Sequence, residues 1–192
     1  LQLNPVKGTA PAADVEFLLS AHRTTKTVTI DETFVRSGQY ETNRKIVKAG
    51  TILGKVTATG LYAPVKKTLL NGAHSAGDTT IAVDDASFFQ SGDTITVGNE
   101  TGLTVSSVDY DNNIITLSAG LAGNQADDAE VKAENGLETA DCILYNTVDL
   151  TTAELTFADA AATAVTHAVV KEARVKGANT KTKADLTRIE FR

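Results

Sequence analysis

The sequence predicts a mainly β protein: a small barrel or sandwich body, an all-β module inserted into it, and an extended N-terminal arm. Three observations lead there. Apolar residues recur at every second position through most of the 192 residues, the period of a half-buried strand. The chain has no Trp and only 5% aromatics, and its abundant Ala, Thr, Val and Gly suit strands with small side chains and frequent turns. Charge then divides it. Residues 1–72 hold ten Lys and Arg against five acids, residues 73–138 one Lys against twelve acids, and residues 139–192 seven against seven, so +5, −11 and 0 sum to −6. A step of that size marks the middle segment as a separately solvated unit. With 42% hydrophobic and 22% charged residues, the bulk of the chain is able to bury a core.

Residues 1–25 contain two of the three prolines and one apolar cluster, Val15, Phe17, Leu18 and Leu19. They read as an arm, which frays unless its own body or a partner's surface holds it. From "KTVTIDETFV" through "RKIVKAGTILGKVTATGLYAPV" the pattern is period two, with Gly50, Gly54 and Gly60 at bends, as a small barrel or strongly coiled sheet requires. The body is therefore placed at 26–72 and 138–192, and the module at 73–137. Within the module "DTTIAVDD" and "GDTITVG" each alternate, and "GLTVSSVDYDNNIITLS" reads as two strands joined at Asp111-Asn112-Asn113, residues that tolerate the left-handed backbone of a hairpin turn. "AEVKAEN" closes it, and Ser87, Phe88 and Phe89 are expected to supply its aromatic core. Strands resume in "DCILYNTVDL" and "AVTHAVVKEARV"; the Ala-rich "TTAELTFADAAATA" between them fits a helical turn or a loop, and the tail fits a short last helix or an edge strand.

Residues suited to chemistry are sparse. His22, His74 and His167 have no ligand spacing. Cys142 has no partner for a disulfide and sits in an apolar strand, where it packs as a small hydrophobe. "DYDNN" opens like a calcium loop, but Ile114 stands where the glycine belongs and no Glu closes twelve residues. There is no phosphate-cradling glycine loop. Seven bases against three acids from Lys171 onward, without interleaved aromatics, do not make a nucleic-acid surface. No apolar run approaches the ~20 residues of a bilayer span. The expectation is a non-enzymatic, soluble protein with no catalytic residues, no cofactor and no metal.

Three blocks carry a resemblance. "IVKAGTILGKVTATGLYAPV", then "ADCILYNTVDLT", then "ATAVTHAVVKEARV" resemble, in order, the head decoration (cement) proteins of tailed bacteriophages. Gly50, Thr51, Leu53, Gly54, Thr59, Gly60 and Tyr62 match the first block and Ile143, Leu144, Val148 and Asp149 the second. Val165, His167, Val169, Val170 and Glu172 fit the third more loosely. The resemblance covers about residues 26–72 and 138–176; the long acidic segment departs from it, since the family usually has a short loop there.

The resemblance implies a β-tulip fold, a homotrimer, and a position on the outer capsid surface of a virion, after synthesis in the host cytoplasm. The partner would be the major capsid protein, bridged where several copies meet. The arm, through Val15, Phe17, Leu18 and Leu19, would add to the capsid lattice as an extra strand. The alternative is another virion β protein, a tail or fibre subunit, or an adhesin whose 73–137 module contacts a glycan or the host surface. Neither nucleic acid nor membrane is an expected partner.

Overall fold

The computed structural model describes residues 16–192, and it is mainly β. Its strands are β1 (Thr24–Ile30), β2 (Ile46–Val47), β3 (Ile52–Lys55), β4 (Tyr62–Pro64), β5 (Lys67–Leu69), β6 (Thr80–Ala82) and β7 (Thr94–Val97), followed by β8 (Glu100–Asp109), β9 (Ile114–Leu117), β10 (Glu130–Ala133), β11 (Ala140–Leu144), β12 (Val148–Asp149), β13 (Ala160–Val170) and β14 (Ile189–Phe191). One helix, α1 (Thr180–Asp185), precedes β14. Asn179 caps it, accepting from the amides of Lys181 and Thr182 while the Thr182 hydroxyl accepts from the Asn179 amide.

The first sheet runs β1-β4-β3-β11-β13-β14, and β1 also pairs with β13, closing five strands into a barrel. The antiparallel β1–β13 ladder is long, from Thr24 opposite His167 to Ile30 opposite Ala160. Neighbouring residues bury on opposite faces, as strand geometry dictates. Leu53, Cys142, Leu144, Ala164, Val28 and Ile30 form one cluster, with Tyr62 packed against it. Since all five barrel strands contribute, this is the barrel interior. Ile52, Ile143 and Val165 face the other way, beneath Phe17, Leu186 and Ile189. Phe17, Leu18, α1 and β14 thus form an outer layer over one side of the barrel.

The second sheet runs β5-β10-β7-β8-β9-β6 and curls until Leu70 bridges Val83, drawing its end strands together. Its core holds Ile81, Phe89, Ile95, Val97, Val105, Ile115 and Val131. β8 and β9 are joined at Tyr110–Asn113, where Asn113 has φ 54° and Asp109 Oδ1 accepts from the Asp111 and Asn112 amides.

Several elements differ from the sequence reading. The second sheet takes its first strand from Lys67–Leu69, ahead of the charge step at 73. The Ala-rich segment becomes strand from Ala160 onward, because Ala162 and Ala164 fit the narrow barrel interior and β1 supplies the ladder. The tail forms both of its alternatives in turn, α1 and then β14. Of the expected aromatic core, Phe89 is central to the second sheet, whereas Phe88 packs at the junction against Gly177.

Candidate functional site

The resembling blocks become neighbours in space. β3 and β4 form a hairpin with Leu53 opposite Pro64 and Lys55 opposite Tyr62; β11 pairs with β3, and β13 with β11. Gly54 lies where a Cβ would stand 2.8 Å from the Thr139 carbonyl oxygen, so only glycine lets the β11 approach cross it. Gly50 has φ 81°, and a Cβ there would stand 2.8 Å from the Arg174 carbonyl oxygen. Thr51 is fully buried, its hydroxyl donating to the Lys48 carbonyl at 2.7 Å. Gly60 donates its amide to the Val56 carbonyl in the hairpin turn. These residues build the barrel, and none of them presents a reactive group.

Tyr62, packed against the interior cluster, also joins a partly exposed charged cluster. Lys26 Nζ donates to the Tyr62 hydroxyl at 2.9 Å and to Asp141 Oδ2 at 2.5 Å. Partial burial pulls the Lys26 pKa down, but the hydrogen bonds to Asp141 and Tyr62 outweigh it and hold the ammonium above its ordinary value. Burial likewise pushes the Asp141 carboxyl up, and Lys26 more than reverses that, leaving it below the ordinary value. A lysine base or nucleophile needs a depressed pKa. Lys26 has the reverse, so this cluster is a lock between β1, β4 and β11.

The arm residues separate into different roles. Val15 lies outside the described residues. Phe17 is 3% exposed and packs in the outer layer of the barrel, which corrects its expected place on a capsid surface: it fills the protein's own core. Leu18 is half-buried and bridges Val170, while the Leu19 amide donates to the Val169 carbonyl and the Lys171 amide to that of Phe17. Arg174 Nη1 adds a bond to the Glu16 carbonyl. Of Phe17, Leu18 and Leu19, only Leu19, 53% exposed, remains available to a partner.

The histidines divide as well. The β1–β13 register brings the His22 and His167 rings to 5.6 Å, edge to face. His74 is engaged elsewhere, its Nε2 accepting from the Ala82 amide at 3.1 Å and its Nδ1 3.4 Å from Asp78. Among the described residues no group of three or more His, Cys, Asp or Glu could hold a metal ion. Cys142 is fully buried, and its thiol is pushed up to about 12 by that burial, so it is a core residue and a poor nucleophile.

The module's acids have structural work. Both Glu100 oxygens accept from the Ala122 amide, Glu134 accepts from Gly102 and Thr96, Asp127 from Gly72, Asp85 from Ser87 and Asp78 from Ser75. Turn amides that no strand partner satisfies are met by carboxylates. Part of the −11 charge is thereby explained by loop geometry.

Two sites lie where barrel and second sheet meet. Lys66, between β4 and β5, is fully buried, and its Nζ donates to both Asp93 oxygens at 2.6 and 2.7 Å. Burial lowers its pKa against the opposing pull of Asp93. Nearby, a cleft of about 460 Å³ is lined by Arg36, Gln39, Tyr40, Asp85, Ser87 and Phe88 together with residues 175–178. Neither junction site was legible in the sequence, because each joins loops distant along the chain. Among the described residues no helix is long and apolar enough to cross a membrane. No family model matches this chain, and no curated protein does.

Proposed function

We propose that this protein decorates the outside of an expanded tailed-phage capsid, bridging copies of the major capsid protein as a homotrimer. The observation that supports the reading is the joining of the three resembling blocks. Gly50 to Tyr62, Ile143-Leu144 and Val165 to Val170 occupy adjacent strands of one closed barrel. Barrel closure leaves few strand edges for uncontrolled pairing, as suits a protein displayed at high density. The candidate groups for chemistry are buried, mutually paired or turned to loop capping, which favours action by binding. A protein that binds only the expanded lattice stabilises it by mass action, and a trimer makes several weak contacts act together.

The test is co-sedimentation of the purified protein with undecorated expanded capsids, with precursor capsids as the control. Saturable binding to the expanded shells alone is expected, with a trimer by light scattering on the shell-released protein. Equal binding to both shells, or to neither, would remove the proposal.

A further inference from the structure

The junction cleft draws on both sheets. Three segments from both sheets converge on it: the 36–40 loop after the 3-10 turn Glu32–Phe34, the 85–88 loop between β6 and β7, and residues 175–178 before α1. Clefts between structural units, with an aromatic surface and a few convergent polar groups, are where small ligands bind, and about 300–1,000 Å³ is the usual size. This one, at about 460 Å³, has both components.

The aromatic component is Tyr40, 36% exposed, with the Lys48 ammonium 5.5 Å from its ring centroid, together with Phe88, whose ring would stand 3.3 Å from a Cβ at Gly177. The polar component is unspent. Asp85 Oδ1 accepts from the Ser87 amide, but among the described residues the Tyr40 hydroxyl, the Gln39 amide and the Ser87 hydroxyl have no hydrogen-bond partner. Residues with uncommitted donors and acceptors therefore line the cleft together with a ring.

That combination selects the ligand class. An anion such as a phosphate is disfavoured, since Asp85 lines the cleft while Lys176 Nζ is bonded to the Ala49 carbonyl and the Arg36 guanidinium stacks 3.4 Å over the Tyr110 ring, its unpartnered Nε buried away from solvent. An apolar ligand would leave the polar groups unsatisfied, at a cost of ~1–3 kcal/mol for each one buried. A pyranose satisfies both, with C–H faces for an aromatic ring and hydroxyls that donate and accept at its edge.

We propose that the Tyr40–Gln39–Asp85–Ser87 cleft is a saccharide-binding site that takes one or two neutral pyranose units of a surface glycan. Because the body supplies Gln39 and Tyr40 and the second sheet supplies Asp85 and Ser87, residues 73–137 by themselves hold only half of it.

The test applies the full chain to a printed array of microbial glycans and titrates the retained saccharides by calorimetry. Wild type is expected to retain at least one neutral saccharide. Tyr40→Ala should weaken it tenfold or more, and Gln39→Ala about three- to tenfold, with unfolding midpoints unchanged for Gln39→Ala. Retention of no saccharide, or binding indifferent to both substitutions, overturns the proposal. Capsid co-sedimentation of the same variants should be unaffected, so failure of the two readings is separable.

Discussion

Lys66 Nζ sits between both carboxylate oxygens of Asp93, at 2.6 and 2.7 Å, with the Lys66 side chain fully buried and that of Asp93 6% exposed. Asp93 Oδ2 also accepts from the Gln90 amide, and the Phe34 ring lies 5.7 Å from the ammonium. The pair spans the junction. Lys66 leaves the barrel, its amide bonded to the Leu137 carbonyl and its own carbonyl to the Ala133 amide, while Asp93 opens β7. Around it Val56, Ala63, Ala133 and Leu137 form a small apolar cluster with Phe34 packed against them. The pair thus places a short charged contact in an apolar setting between the two sheets.

A buried ion pair is costly to break and less costly to replace. Asp93→Ala, which strands a buried ammonium and an amide, should lower stability by about 3–5 kcal/mol. Lys66→Met combined with Asp93→Leu should lose less than Asp93→Ala, since only the Gln90 amide is left unmet. Urea denaturation of the three proteins checks the order; a double variant worse than Asp93→Ala would contradict it.

The arm should separate into a folding half and a binding half. Phe17→Ala removes a side chain 3% exposed, and large-to-small changes of an aromatic in a core cost about 3–5 kcal/mol. Leu19→Ala, at 53% exposed, should stay within ~0.5 kcal/mol and weaken capsid attachment. A truncation that tests attachment therefore ends before Glu16. A cut extending through Phe17 should lower the unfolding midpoint relative to one that stops at residue 15.

Cys142 should be silent until the protein unfolds. Its folded thiol is raised to about 12 from an ordinary 9.0, so iodoacetamide at pH 8 should label it only at the rate of global opening. The same shift sets an alkaline limit. A group raised in the folded state contributes stability that is complete below its unfolded pKa and is lost as pH rises towards the folded value. Stability should therefore fall between about pH 9 and 12, and Cys142→Val should make that fall shallower. Rapid labelling of native protein would refute the burial.

The strands were largely legible because period two survives in short sequences: Thr94–Val97 and Ile114–Leu117 alternate visibly, and Asn113 marks their neighbouring hairpin. Ala160–Ala164 was not, since alanine has no strand preference of its own and β1 imposes the conformation. Lys66 was hidden for a related reason. In "VKKTLL" it looks like half of a solvated pair with Lys67, and nothing local shows that one lysine turns inward to meet an acid 27 positions away while the other reaches Asp185. The cleft at Tyr40 and Asp85 was equally hidden, because loop composition does not report which loops meet.

The Lys26–Asp141 contact should give a stability plateau with two edges. Asp141 is lowered in the folded state from an ordinary 3.8, so its contribution is present above the unfolded value and disappears as pH falls through the folded one. Lys26 is raised from an ordinary 10.5, so its contribution is complete below that value and disappears as pH rises beyond it. The pair therefore acts between about pH 4 and 10. With Asp141 44% exposed and Lys26 31%, solvent screens it, and a coupling of ~0.5–1 kcal/mol is the appropriate scale. A double-mutant cycle with Lys26→Met and Asp141→Asn, measured at pH 7 and again at pH 2.5, checks it. The coupling should be full at pH 7 and smaller at pH 2.5, below the ordinary Asp141 value of 3.8; a coupling of equal size at both would show that packing of the lysine stem, and not charge, holds β1 to β11.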